Sequence, residues 1–216
     1  MKYLIMCGGP SCKWDRPKQL YEIDGKPLIQ RTVELLKAAG AEDIYITSTN
    51  KVFSKYATLL YYNSNKEHYS WLDCFYLMPE PVCYIFGDVL FSPEAIKTIV
   101  EKDTESIDFF ASGHPFSPKY GKQYAEPFAF KVRAHERFKE AVNRAKWLGA
   151  NGCFSRDPIA WELWQVIQGT PLNVIQQDYT VINDYTRDFD SEEEFKEWLK
   201  HHPSFMPFSE KETETK

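Results

Sequence analysis

The sequence lacks any cysteine pair at metal or redox spacing. Its five cysteines (Cys7, Cys12, Cys74, Cys83 and Cys153) are an odd set with no C-x-x-C among them. That excludes a disulfide framework and a structural zinc site as organising devices. Reduced thiols of this kind suit a cytoplasmic setting. Long hydrophobic runs are missing too. The opening apolar stretch, Tyr3 to Cys7, is too short for a signal segment, and nowhere do about 18 apolar residues follow one another. A soluble protein without a membrane partner is the expectation. There is no basic excess: 26 Lys and Arg stand against 31 Asp and Glu, for a formal net charge of -5. A chain so balanced carries no global field for nucleic acid, and none is expected as a partner. Internal repeats and low-complexity tracts are also absent, which excludes a repeat architecture.

What is present fits one large domain. The 216 residues can bury a full core, and aromatic residues make up 16% of the chain, enough to pack it well. Residues 1–200 read as a single domain, with an accessory helical segment at about 146–169, followed by a polar tail at 201–216 whose last residues are expected to be disordered.

Short β-like runs alternate with amphipathic stretches through the first half, the pattern of a parallel sheet flanked by helices. Residues 3–7 are the first strand and 43–49 the second. Between them a helix opens at Pro27, carries Leu28, Thr32, Leu35, Leu36 and Ala39 near one face, and ends at Gly40. A short run at 59–62 precedes a helix-like segment at 69–78. Residues 82–91 read as a buried central strand interrupted by Gly87 and Asp88. Ser92 and Pro93 then supply the cap and first turn of a helix with Ile96, Ile99 and Val100. Further strands are expected at 107–113, 126–132 and 173–177. Asp157-Pro158 opens a helix bearing Trp161 and Trp164, and Ser191 with Glu194 forms a capping box before Phe195, Trp198 and Leu199.

The loop after the first strand, "CGGPSCKWDRPK", concentrates glycine and positive charge. It does not have the G-x-G-x-x-G spacing of a dinucleotide fingerprint, and its lysine is neither preceded by Gly nor followed by Ser or Thr as a P-loop requires. Glycines still let a backbone approach phosphate oxygens, and Lys13 and Lys18 supply the charge to neutralise them. An ordinary strand-to-helix loop with solvated lysines fits the spacing equally well.

The words that follow distinguish the two. Gly8, Gly9, Ser11 and Lys13, then Pro17, Lys18 and Leu20, then Gly25, Lys26, Pro27, Leu28 and Ile29 resemble, in order, the N-terminal signature of the sugar-phosphate nucleotidyltransferases and their GT-A-like relatives. Lysine stands at 13 where arginine is commoner in that family, and the stretch from Lys13 to Pro17 is shorter than usual, with Arg16 placed to compensate. The resemblance implies an α/β three-layer, GT-A or Rossmann-like fold with a mixed, mainly parallel sheet. It also implies a Mg²⁺-dependent transfer of a nucleotide from a nucleoside triphosphate to a small phosphorylated acceptor, a sugar 1-phosphate or a phosphocholine-like molecule, with release of pyrophosphate. A glycosyltransferase using a nucleotide sugar, or a nucleotide-binding domain without turnover, shares the architecture.

The same resemblance implies the site. Cys7, Gly8, Gly9, Pro10, Ser11 and Lys13 hold the triphosphate, and Lys18 stabilises charge on the α-phosphate, so that Lys13 and Lys18 are the catalytic residues. Asp88, at the end of the central strand, and Asp190, in "DFDSEEEF", hold the Mg²⁺. Asp188 stands two before Asp190, so on an extended chain both face one side. Asp184 is a weaker candidate. Asn65 and Tyr69-Ser70 resemble the nucleotide-reading segment of the choline-phosphate cytidylyltransferase-like branch, with Ser70 either touching the nucleotide or capping a helix. Trp147, Trp161 and Trp164 offer an aromatic cage, although tryptophans at this spacing more often pack a core.

Overall fold

The computed structural model describes residues 1–8, 16–60, 70–113, 125–171 and 178–202. The expected strand at 173–177, most of the glycine loop, Asn65 and Tyr69, and the tail from 203 onward lie outside the described residues.

β1 (Lys2–Met6) and β6 (Val82–Phe86) are built almost wholly from apolar residues, and every side chain of β6 is buried. A strand buried on both faces needs cover on both faces. The chain supplies it with crossover helices. β1 leads through α1 (Leu28–Ala38) to β4 (Ile44–Thr47), which pairs with β1 in parallel, Tyr3 opposite Ile44 and Met6 opposite Thr47. β5 (Thr58–Leu60) extends the sheet beyond β4, and β6 pairs with β1 on its other side, Lys2 opposite Val82. After α2 (Pro93–Glu101), β8 (Ile107–Ser112) runs parallel to β6, separated from it by the antiparallel β9 (Pro127–Val132). β10 (Thr180–Ile182) closes the far edge beside β8. The order β10-β8-β9-β6-β1-β4-β5 is a mixed, mostly parallel seven-stranded sheet, as the sequence predicts.

Two small ladders stand outside it. β2 (Glu22–Ile23) and β3 (Lys26–Pro27) form a hairpin whose Asp24 and Gly25 both take positive φ, the demand that an Asp-Gly turn meets. β7 (Val89–Leu90) pairs antiparallel with β11 (Arg187–Asp188). Here the predicted central strand is broken. β6 ends at Phe86, Gly87-Asp88 make a turn, and β7 leaves the main sheet for a partner near the C-terminus.

Several expectations are corrected. Residues 133–145 carry no helix assignment from the sequence, yet α3 (His135–Ala150) begins there and runs into the expected helical segment, with Phe138, Ala141, Val142 and Ala145 buried on one face. The described part of the expected helix at 69–78, residues 70–78, holds a single 3-10 turn, Trp71–Cys74, because Phe75 returns to extended backbone. α4 spans Ala160–Gln168 and starts after Ile159 rather than at Asp157-Pro158. Asp157 instead accepts a hydrogen bond from the Trp71 amide at 3.0 Å. Trp161 and Trp164 are buried in the main core against Phe109, while Trp147 is 62% exposed, so the three form no cage. α5 (Glu192–Lys200) carries Phe195 and Trp198 into a second apolar cluster with Tyr21, Ile23, Leu28, Leu90 and Phe189. Among the described residues no helix is long and apolar enough to cross a membrane.

Candidate active site

The ends of β1, β4 and β6 meet at the carboxyl edge of the parallel strands, where open α/β sheets bind ligands. The backbone there is tightly tied. The Cys7 amide donates to the Thr47 carbonyl at 2.9 Å, Ser48 Oγ donates to the Cys7 carbonyl at 2.8 Å, and the Gly87 amide donates to the Met6 carbonyl at 3.0 Å. Burial and the nearby charge of Asp88 push the Cys7 thiol well above its ordinary range. Its sulfur is therefore protonated and inert. Glycine at 87 is required by space: a Cβ there would lie 2.6 Å from the Met6 carbonyl oxygen and 2.7 Å from Cys7 Sγ.

The chemistry-bearing groups converge just beyond this edge. A 3-10 turn, Lys18–Leu20, is closed by the Tyr21 amide on the Lys18 carbonyl at 3.0 Å and places the Lys18 ammonium between two carboxylates. Lys18 Nζ lies 3.4 Å from Asp88 Oδ2 and 3.1 and 3.4 Å from the two oxygens of Asp188. Burial opposes the charge on Lys18, but the two carboxylates outweigh it and raise its pKa. At Asp188, burial and the charge of Asp88 push the carboxyl well above the usual carboxylate range, and Lys18 pulls the other way. Two acids and one base thus share a partly dry space.

Asp188 takes the place beside Asp88 that the sequence offers to Asp190. The expected alternation fails because β11 ends at Asp188. Phe189 then turns into the second apolar cluster, and Asp190 is exposed before α5, its amide donating to Glu194 Oε2 at 3.0 Å. Arg187 Nη2 grips the other oxygen of Glu194 at 2.5 Å and fixes the helix start. Asp184 serves as a local fastener, accepting from Ser92 Oγ at 2.5 Å and from the Thr186 amide at 2.7 Å.

Of the remaining sequence candidates, Gly8 is half-buried at the end of β1, and Gly9, Pro10, Ser11 and Lys13 lie outside the described residues. Arg16 places its guanidinium 4.6 Å from the Tyr21 ring centre. Ser70 is the cap of the Trp71–Cys74 turn: its hydroxyl accepts from the Leu72 amide at 3.4 Å, and its own amide donates to Asp73. One residue goes unnoticed in the sequence. Glu126, buried at the entry to β9, sits on the strand next to β6 at the same edge, and its charge adds to the upward push on Asp188. The signal for it was an acidic residue opening a mostly apolar strand.

A small, shallow recess opens beside this cluster, lined by Lys18 and Asp88 on one side and by Tyr21, Ile23, Leu28, Phe189 and Phe195 on the other. Among the described residues no three His, Cys, Asp or Glu side chains converge on one point. Two carboxylates do converge, on Lys18. That donor set suits Mg²⁺, which binds hard oxygen through one or two carboxylates and takes its other ligands from water and substrate phosphates.

The mixed sheet with its Asp-bearing strand end is the nucleotidyltransferase fold. The family model of the MobA-like NTP transferase domain matches residues 3–71, about a third of the chain, including the segment that bears Lys18. Solved structures extend the likeness over nearly the whole length. UDP-glucose pyrophosphorylase complexed with UDP-glucose superposes with a TM-score of 0.63 at 15% identity, covering 94% of this chain and 98% of that one. Inositol-1-phosphate CTP transferase from T. maritima gives 0.61 at 16%, covering 94% of each chain. CTP:phosphocholine cytidylyltransferase from Streptococcus pneumoniae gives 0.53 at 16%, covering 93% and 98%. No curated protein matches the sequence. At such identities the structural likeness is one of fold. By fold the chain is similar to these nucleotidyltransferases, and its N-terminal third matches the MobA-like NTP transferase domain.

Proposed function

We propose that the protein moves a nucleoside monophosphate from a nucleoside triphosphate to a small phosphorylated acceptor, in the presence of Mg²⁺, and releases pyrophosphate. A phosphate oxygen of the acceptor attacks the α-phosphorus in line. The new P–O bond forms as the bond to the bridging α,β oxygen breaks, and pyrophosphate leaves with that electron pair. An ionised phosphate needs no general base, so the work of the chain is positioning and charge neutralisation.

The observation that carries this reading is the meeting of Lys18, Asp88 and Asp188 at the sheet edge, drawn from positions 70 and 170 residues apart. Asp88 and Asp188 would hold Mg²⁺, which when bound would supply Lewis-acid stabilisation and a template for the phosphates. Lys18 offers its ammonium to the α-phosphate, where negative charge accumulates. Gly8 to Ser11 and Lys13 cradle the β- and γ-phosphates.

The test is pyrophosphate release with Mg²⁺, each common nucleoside triphosphate, and a panel of sugar 1-phosphates, inositol phosphate and phosphocholine. One responsive combination is expected, with Lys18→Ala and Asp88→Asn each lowering its turnover by at least about tenfold. Glycosyl transfer from a nucleotide sugar releases a nucleoside diphosphate and no pyrophosphate. Full turnover in either variant would remove that residue from the mechanism.

A further inference from the structure

Asp188 reaches the site on a ladder of two residue pairs, Val89 opposite Asp188 and Leu90 opposite Arg187. So short a ladder specifies register weakly. A slip of two residues keeps each side chain on its own face and sets Asp190, in place of Asp188, opposite Val89 next to Asp88.

The contacts of Arg187 and Asp190 with Glu194 do not prevent this, since they belong to the β11–α5 unit and travel with it. A second fastening sits at the other end of the ladder. Ser92 Oγ donates to Asp184 Oδ2 at 2.5 Å, the Thr186 amide donates to Asp184 Oδ1 at 2.7 Å, and the Ser92 amide donates to Thr186 Oγ1 at 3.0 Å. Ser92 and Thr186 are buried, and Ser92 Oγ is anchored in turn by the Ala95 amide of α2 at 2.8 Å. These bonds close a polar ring between the N-terminus of α2 and the 184–186 turn. Shifting the ladder by two residues would break both bonds that join the segments, Ser92 Oγ to Asp184 and the Ser92 amide to Thr186 Oγ1, and leave the buried Ser92 amide and Thr186 hydroxyl without these partners, while the Thr186–Asp184 bond shapes the turn itself.

We infer that Asp184 is a positioning residue: with Ser92 and Thr186 it sets the register of β11 on β7, so that Asp188 is the carboxylate that meets Asp88 and Lys18. The register claim stands on this geometry alone, and its consequence for turnover rests on the proposed nucleotidyl transfer.

The experiment uses the full chain and two readouts. In hydrogen exchange followed by mass spectrometry, Asp184→Ala is expected to accelerate exchange of peptides covering 187–190 by at least about tenfold, with 82–86 unchanged. Asp184→Asn keeps a carboxamide oxygen for the Thr186 amide and an NH₂ for Ser92 Oγ, and should stay within about threefold of the unaltered protein. Thr186→Val, which removes one bond of the ring with little change of shape, should accelerate the same peptides by about threefold, and it decides the matter if Asp184→Ala fails to fold. In turnover, Asp184→Ala is expected to lose at least about tenfold in kcat. Asp188→Asn, expected to cost at least about tenfold in the unaltered protein, should cost less than about threefold in the Asp184→Ala background, a non-additivity that general destabilisation does not produce. Unchanged exchange at 187–190 in both Asp184→Ala and Thr186→Val overturns the inference, as do losses from Asp184→Ala and Asp188→Asn that simply multiply. A protein that releases no pyrophosphate with any substrate refutes the functional reading alone, and exchange then decides the register.

Discussion

Replacing Gly87 with alanine adds one methyl group at the point where two strands and the site converge. The new Cβ would lie 2.6 Å from the Met6 carbonyl oxygen, 2.7 Å from Cys7 Sγ and 3.2 Å from Ile5 Cγ2. Two of these neighbours are side-chain atoms in a packed core, but the nearest is backbone. Bringing the closest contact to about 3.3 Å requires a displacement of roughly 0.7 Å, and over-packing of this kind costs about 1–3 kcal/mol. For a chain of this size that is a fall in Tm of roughly 3–10 °C. The displaced residue immediately precedes Asp88, and the displacement stretches the 3.0 Å bond from the Gly87 amide to Met6 that fixes the turn. A misplacement near 1 Å in a reacting constellation lowers rate by about a hundredfold. Gly87→Ala should therefore lower kcat by roughly thirty- to a hundredfold while the protein remains folded at 25 °C. Thermal unfolding by circular dichroism and pyrophosphate release under saturating substrate measure the two effects. An alanine variant that keeps its rate within about twofold and its Tm within about a degree would refute the argument that this close approach positions Asp88.

Other expectations follow from single groups. Lys131 is buried and donates to three carbonyls at the end of α2, those of Ile99 at 3.0 Å, Val100 at 2.9 Å and Lys102 at 2.5 Å. Lys131→Met should leave them unsatisfied and cost roughly 2–4 kcal/mol in urea unfolding. Burial holds the Lys131 pKa below the ordinary lysine value, so the unfolded chain binds the extra proton between the two values. Its contribution to stability should therefore rise as pH climbs through that interval, a slope the methionine variant lacks. Iodoacetamide at pH 8 should modify Cys153, which is exposed, and spare Cys7, Cys74 and Cys83 until the protein unfolds. Burial pushes the Cys83 thiol up to about 12 and raises the other two as well. Peptide mapping reads the pattern, and early alkylation of a buried thiol would contradict the packing around β1 and β6. Trp161 Nε1 donates to the Ala125 carbonyl at 2.6 Å, holding the backbone beside Glu126. Trp161→Phe should lower stability by about 1 kcal/mol in the same urea experiment.

The fold was legible wherever local pattern and tertiary demand agree. β1, α1 and α2 follow their apolar periodicity, and the Ser92 cap is where the sequence places it, with Ser92 Oγ accepting from the Ala95 amide. The pattern failed where a tertiary contact decides. Nothing in "VCYIFGDVLF" says that its last residues leave the sheet for a strand near position 187, because that choice belongs to the partner. The start of α4 was misread because Asp157, a good cap by type, is recruited by the Trp71 amide. α3 was legible and overlooked, since Phe138, Ala141, Val142 and Ala145 have helical spacing amid dense charge. In the site, Lys18 and Asp88 come together as their motifs suggest. Choosing between Asp188 and Asp190 needed the point at which β11 ends, which two-residue alternation cannot supply.

The union of Lys18 with Asp188, across 170 positions of sequence, bears on how the protein comes into being. A ribosome adding about 5–20 residues per second needs roughly 10–30 s after Lys18 has been made to deliver Asp188. During that time the apolar strands around β1 can collapse while the carboxylate of Asp88 has only one of its two neighbours. A nascent or C-terminally shortened chain that ends before β11 would thus hold a sheet edge able to attract cations or phosphates without the means to use them. The proposed activity would appear only once β11 has been made and paired with β7.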